Sequence, residues 1–229
     1  MLEEALGYAN RGWHIFPCRE KPSEYKNSEG VIIVSQEKSP YTSNGLHDAT
    51  TDKDQIKSWW GTWSRALIGV NAGKSGLFVV DIDKKHVNGL EIWDKWNIND
   101  SGGLRSITPS GGIHIIFSGT GKTTTNAGKT PEIKETGIDT RGENGYFIVP
   151  PSKIIEGDYP GEYKRFGDWT RDPGVIPDGL MSKLFPQKTI EYVRGNFEPP
   201  EGERGIVSRA SLSFLADGAP EGERNNAMF

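Results

Sequence analysis

The chain is poor in cysteine, histidine and methionine: its 229 residues include one Cys, four His and three Met. A lone Cys18 excludes an internal disulfide and any structural metal site built from several thiolates, so no zinc is expected. Also missing is any apolar run near the ~20 residues that a membrane helix needs. The start, "MLEEALGYANRG", lacks the basic-then-apolar order of a secretion signal. These absences make a cytoplasmic protein with no membrane partner the expectation. The net charge of −4 at pH 7 is small. It speaks weakly against a surface given over to nucleic acid, yet allows local patches and an acidic site. What the chain has in quantity is aromatic bulk, with seven Trp, nine Phe and seven Tyr. Its length suits one large domain, or one domain with an appendage.

Periodicity divides the chain into short elements. "LEEALGYANRG" reads as an amphipathic helix with Leu2, Ala5, Leu6 and Ala9 on one face and Gly12 as its stop. "WHIFPC" reads as a strand, and residues 19–50 as polar, irregular chain. "TTDKDQIKSWWGTW" is a second helix, with Thr51 as N-cap and Ile56, Trp59, Trp60 and Trp63 as its buried stripe. "ALIGVNAG", "GLFVVDID" and part of "SITPSGGIHIIFSG" are strands, with a third helix in "NGLEIWDKWNIND". Residues 135–149, "ETGIDTRGENGYFIV", suggest a hairpin closed by "RGENG", stopped by the following "PPS". The absence of a regular βαβ repeat predicts an α+β fold around a mostly antiparallel or mixed sheet. Residues 1–186 form the expected domain. Beyond it, 187–229 read as a Pro-, Gly- and charge-rich linker and the start of a further segment cut from a longer chain.

The chemistry centres on "GLFVVDIDKK". Side chains at i and i+2 of a strand face the same side, roughly 6.5–7 Å apart at Cα. Asp81 and Asp83 therefore project together while Ile82 enters the core. Two carboxylates with that reach can bridge a pair of divalent ions about 3.5–4 Å apart, as in two-metal phosphoryl transfer, and hard oxygen donors suit Mg²⁺ or Mn²⁺. Alone, the pair equally describes a solvated strand end balanced by Lys84 and Lys85. In "PSGGIHIIF", His114 leaves the face of Ile113, Ile115 and Phe117, while Ser110, Gly111 and Gly112 offer a loop whose backbone N–H groups can meet phosphate. In "GIDTRG", Asp139 supplies a third carboxylate, and Arg141 suits either a phosphate or an acid. Each also has a purely structural reading, His114 as a core histidine and Arg141 as a salt bridge at a hairpin base.

Two stretches imitate a P-loop, "GVNAGKS" and "FSGTGKTTT". That motif needs a glycine six residues before its lysine. Ile68 precedes Lys74 and Ile116 precedes Lys122 at that spacing, and neither stretch opens a helix to receive phosphate. His14, His47 and His86 show no zinc spacing, and Cys18 beside Pro17 reads as a small core residue.

Five blocks, "ALGYANRGWHIFPCREKP", "GLHDATTDKDQIKSWW", "IGVNAGKSGLFVVDIDKKHVNG", "TPSGGIHIIF" and "GIDTRGENGYFIVPPS", stand in the order expected of a bifunctional primase–polymerase domain. Over roughly residues 5–185 the chain resembles that branch of the archaeo-eukaryotic primase superfamily, found in phage and plasmid replication proteins. The resemblance implies an α+β core with an RNA-recognition-motif-like sheet packed on a second α/β unit. It implies Asp81, Asp83 and Asp139 as ligands of two divalent ions and His114 as a contact to the incoming nucleotide. It further implies dNTP or NTP substrates, a single-stranded DNA template with its primer, and a helicase domain in the same longer chain. One departure is Gly112, where the superfamily often has Ser or Thr two residues before the histidine. Two other functions stay open on these residues: a non-catalytic DNA-binding module of a helicase, and a metal-dependent nuclease.

Overall fold

The computed structural model describes residues 1–26, 28–85, 87–124 and 136–185. The expected linker at 187–229 and His86 lie outside these residues. Helix α1, Leu2–Asn10, buries Ala5, Tyr8 and Ala9 and ends at Gly12, whose φ of +79° a glycine adopts without strain. Strand β1, Ile15–Cys18, follows. The stretch read as irregular contains a hairpin of β2, Ser23–Lys26, and β3, Ile32–Ser35. It also holds a single 3₁₀ turn, Gly45–Asp48. Exposed Ile32 and Val34 hide this strand pair from a burial-based reading.

Helix α2, Lys53–Thr62, is capped by Asp52, not Thr51: the Asp52 carboxylate accepts from the N–H groups of Asp54 and Gln55, both at 2.9 Å. Of its stripe, Ile56 and Trp60 are buried, while Trp59 and Trp63 pack at the margin. Strands β4, Leu67–Asn71, and β5, Leu77–Ile82, lead to helix α3, Gly89–Trp96. Strands β6, Leu104–Ile107, β7, Ile113–Ser118, β8, Ile138–Arg141, and β9, Tyr146–Val149, follow. The short strands β10, Lys153–Ile154, β11, Gly161–Glu162, and β12, Lys164–Phe166, precede helix α4, Leu180–Leu184.

Two main sheets result, a five-stranded one ordered β12-β6-β7-β5-β8 and a three-stranded one ordered β1-β4-β9. Every pairing between named strands is antiparallel among the described residues, so the architecture is α+β. Period-two alternation divides the five-stranded sheet between two cores. Phe78, Val80, Ile82, Ile115, Phe117 and Ile138 turn toward α3 and α4. Val79, Leu104 and Ile116 turn the other way, onto α1, α2 and one face of the three-stranded sheet.

The hairpin expected over 135–149 is corrected. β8 pairs with β5, whereas β9 pairs with β4 in the other sheet, so "RGENG" carries the chain across the two. Its glycines are dictated by crowding: a Cβ at Gly142 would run into the Gly121 carbonyl, and one at Gly145 into the Thr123 hydroxyl. Each strand has its own core to enter, Ile138 beside α3 and Phe147 with Val149 beside α1. Burial of those side chains outweighs the short-range preference for a hairpin.

Candidate active site

Register brings the separate motifs into one line. Asp81 on β5 stands opposite His114 on β7 and opposite Asp139 on β8, and His114 stands opposite Ser106 on β6. Directly paired residues lie about 4.5–5.5 Å apart, so Ser106, His114, Asp81 and Asp139 form a row across four strands. The row occupies the sheet face that also carries Val79 and Ile116, at the end where the apolar core stops. Asp83 follows one residue after β5; its N–H donates to Gly137 at 2.7 Å and its carbonyl accepts from Gly89 at 3.0 Å. Beside the row lies a cavity of about 350 Å³.

Asp81, Asp83, Ser110, His114 and Arg141 line that cavity. Asp139 reaches it through Arg141, whose Nη2 donates to Asp81 Oδ2 at 3.0 Å and lies 3.6 Å from Asp139 Oδ2. On the other side of Asp81, His114 Nε2 lies 3.4 Å from Oδ1. The His114 ring is wedged between Tyr163, 5.7 Å away centroid to centroid, and Phe147 at 6.1 Å. Burial by itself would raise the Asp81 carboxyl. His114 and the Arg141 guanidinium, facing it from either side, outweigh burial, and the group sits well below the usual carboxylate range. Asp83 moves the other way, raised by burial and by the neighbouring charge of Asp81, with Lys85 opposing at 3.9 Å. Two carboxylates one residue apart thus hold different electrostatic positions.

The "PSGG" turn contributes differently from expectation. The Gly111 N–H is taken by the Thr108 carbonyl at 2.9 Å, and neither Gly111 nor Gly112 lines the cavity. Thr108, Pro109 and Ser110 form that wall, with the hydroxyls of Thr108 and Ser110 3.1 Å apart. Gly112 instead permits a close approach, since a Cβ there would collide with the Ile82 carbonyl. The first P-loop imitation is structural: the Lys74 ammonium donates to the carbonyls of His47, at 2.6 Å, and Ala49, at 3.3 Å. Cys18 is fully buried against Gly69.

Sequence reasoning missed Lys38, Lys85 and the aromatic wall of Tyr146, Phe147, Tyr159 and Tyr163, all lining the same cavity. Only the apolar run "YFIV" carried a signal, and it spoke of burial alone. Donor chemistry decides whether a divalent ion suits the site. Asp81 and Asp83 present carboxylate oxygens to one cavity, the ligands that Mg²⁺ and Mn²⁺ take. Among the described residues no three acidic, histidine or cysteine side chains form a ready cluster for a single ion; Arg141 stands between Asp81 and Asp139. The fit therefore runs through Asp81 and Asp83.

Carboxylates, an imidazole and a guanidinium around one cavity are the groups with which an enzyme handles phosphates and their counter-ions. The family model for the N-terminal domain of bifunctional DNA primase/polymerases matches residues 5–178, and the chain belongs to that family. Membership implies nucleotidyl transfer of the primase and polymerase type, with DNA and nucleotides as substrates. No curated protein matches the chain. Among the described residues no helix is long and apolar enough to cross a membrane.

Proposed function

We propose that this domain makes primers on single-stranded DNA and extends them with nucleoside triphosphates, in phage or plasmid replication within the cytoplasm. On this reading a helicase domain belongs to the same longer chain. The observation that carries the proposal is the in-register row of His114, Asp81 and Asp139 beside a cavity shared with Asp83. Asp81, Asp83 and Asp139 would hold two divalent ions, Mg²⁺ or Mn²⁺. Such ions, when bound, lower the pKa of the primer 3′-hydroxyl and neutralise charge on the departing pyrophosphate.

The chain's own residues supply the positioning. Asp81, kept ionised by its neighbours, is a fixed negative point at the cavity wall. His114, gripped between two aromatic rings at the cavity wall, would fix the triphosphate there so that attack is in line. Ser110 adds a hydroxyl at the same wall, and Arg141 offers a forked guanidinium to either a carboxylate or a phosphate. Primer extension with labelled dNTPs tests this. Asp81→Ala and Asp83→Ala should each lose extension by at least about 10²-fold, with the chain still cooperatively folded at the assay temperature. Extension that survives both changes removes these residues from the mechanism. Shortening of the template without nucleotide incorporation would point to a nuclease instead.

A further inference from the structure

Lys38 lies in the loop between β3 and the 3₁₀ turn, on a part of the chain that no reading of the motifs reaches. It adopts φ of +69°, a left-handed conformation that costs a non-glycine residue about 1–2 kcal/mol. The surroundings hold it there from both sides. Its N–H donates to the Arg19 carbonyl at 2.8 Å, and its carbonyl accepts from the Tyr146 hydroxyl at 3.3 Å. The side chain then enters the wall of the cavity that holds Asp81, Asp83 and His114.

What the ammonium meets there is the informative part. Among the described residues it makes no ion pair or hydrogen bond. Burial and the like charge of Lys85 pull its pKa below the usual lysine value, against the opposing carboxylates of Glu37, Asp81 and Asp83. Lys85 completes the arrangement, its Nζ 3.9 Å from Asp83 Oδ1 and 5.0 Å from the centre of the Tyr159 ring. The Lys38 ammonium, held partly out of water on the cavity wall that it shares with Lys85, is repelled by it, and a backbone strained to place Lys38 adds to the cost. An anion between them offsets both terms. Asp81 is already held by Arg141 and His114, and Asp83 by Lys85, so a further anion entering the cavity meets the Lys38 ammonium without displacing them.

We propose that Lys38, with Lys85, clamps the triphosphate of the incoming nucleotide, Lys38 being a positioning residue contributed from outside the sheet that bears the carboxylates. This rests on the nucleotidyl-transfer reading and names the groups that would meet the phosphates. A hydrogen bond from a cation to a charged oxygen carries enough free energy for a clear effect on binding. The left-handed backbone supplies the control, because Lys38→Gly removes the ammonium while relieving strain, whereas Lys38→Ala removes it and keeps the strain.

Calorimetric titration of dATP and of dAMP in Mg²⁺, on wild type, Lys38→Ala, Lys38→Gly and Lys38→Arg, tests the assignment. The Ala and Gly variants should bind dATP about tenfold more weakly, with dAMP affinity changed by less than about twofold. Lys38→Arg should keep dATP affinity within about threefold of wild type, and Lys38→Gly should melt no lower than wild type. If Lys38→Gly binds dATP as tightly as wild type, or loses dATP and dAMP alike, the clamp is overturned while the nucleotidyl-transfer reading stands. If wild type itself binds dATP no better than dAMP, both fall together.

Discussion

Removing Arg141 should expose how much charge the site stores. Its guanidinium lies 3.0 Å from Asp81 Oδ2 and 3.6 Å from Asp139 Oδ2. The three side chains are only 23%, 14% and 15% exposed. Breaking a buried ion pair by deleting one partner costs about 3–5 kcal/mol, because the charge left behind is uncompensated. Here some water reaches the groups, and His114 still faces Asp81 at 3.4 Å. Arg141→Ala should therefore cost about 2–3 kcal/mol in a chelating buffer, and a domain of this size then melts about 4–12 °C lower. Urea denaturation of Arg141→Ala, Asp81→Asn and the double variant gives the decisive quantity. With Asp81 neutral, loss of Arg141 leaves only Asp139 exposed to the change, so the coupling should reach about 1.5 kcal/mol. A coupling near zero, or a single-variant cost below about 0.5 kcal/mol, would refute the view that this guanidinium neutralises a buried acidic row.

Acid stability should depend on the same carboxyl. Because the folded pKa of Asp81 lies below the unfolded value of about 3.9, its stabilisation is full above that pH and is lost as the pH falls below it. Asp81→Asn should flatten the decline in urea stability between about pH 4 and pH 2.5 relative to wild type. At the start of α2, Asp52→Ala should cost about 1 kcal/mol in thermal unfolding, while Thr51→Ala should stay within about 0.3 kcal/mol. Gly112→Ala should force β7 away from the end of β5, since its Cβ meets the Ile82 carbonyl, and primer extension should fall at least about tenfold.

Which parts of the site were legible follows from the period of a strand. The alternation in "GLFVVDID" and "GIHIIF" separates Asp81 and His114 from the residues that enter the core beside α3, and the structure shows that division. Alternation states which face a residue takes, but not which residue of another strand stands opposite. The register that sets Asp81 against both His114 and Asp139 comes from tertiary packing. The same limit explains the mistaken hairpin. "RGENG" has turn chemistry, yet the choice between closing a hairpin and crossing sheets depends on which core receives Phe147 and Val149. Lys38 had no signal at all, because a lysine in a polar loop looks like solvent-facing chain until the cavity around it is built.

That crossing also explains how the cavity acquires its second wall. β8 leaves the carboxylate-bearing sheet at Arg141, the residue that bridges Asp81 and Asp139. Five positions later β9 begins at Tyr146, whose ring lines the cavity and whose hydroxyl donates to the Lys38 carbonyl. One short, glycine-forced passage therefore fixes the acidic row on one side and the cation-bearing loop on the other. A hairpin at the same place would have kept Tyr146 in the first sheet, leaving Lys38 without its hydroxyl partner. The glycines at 142 and 145 thus matter to the site although neither carries a functional group. They let the backbone pass Gly121 and Thr123 closely enough for the two walls to face each other.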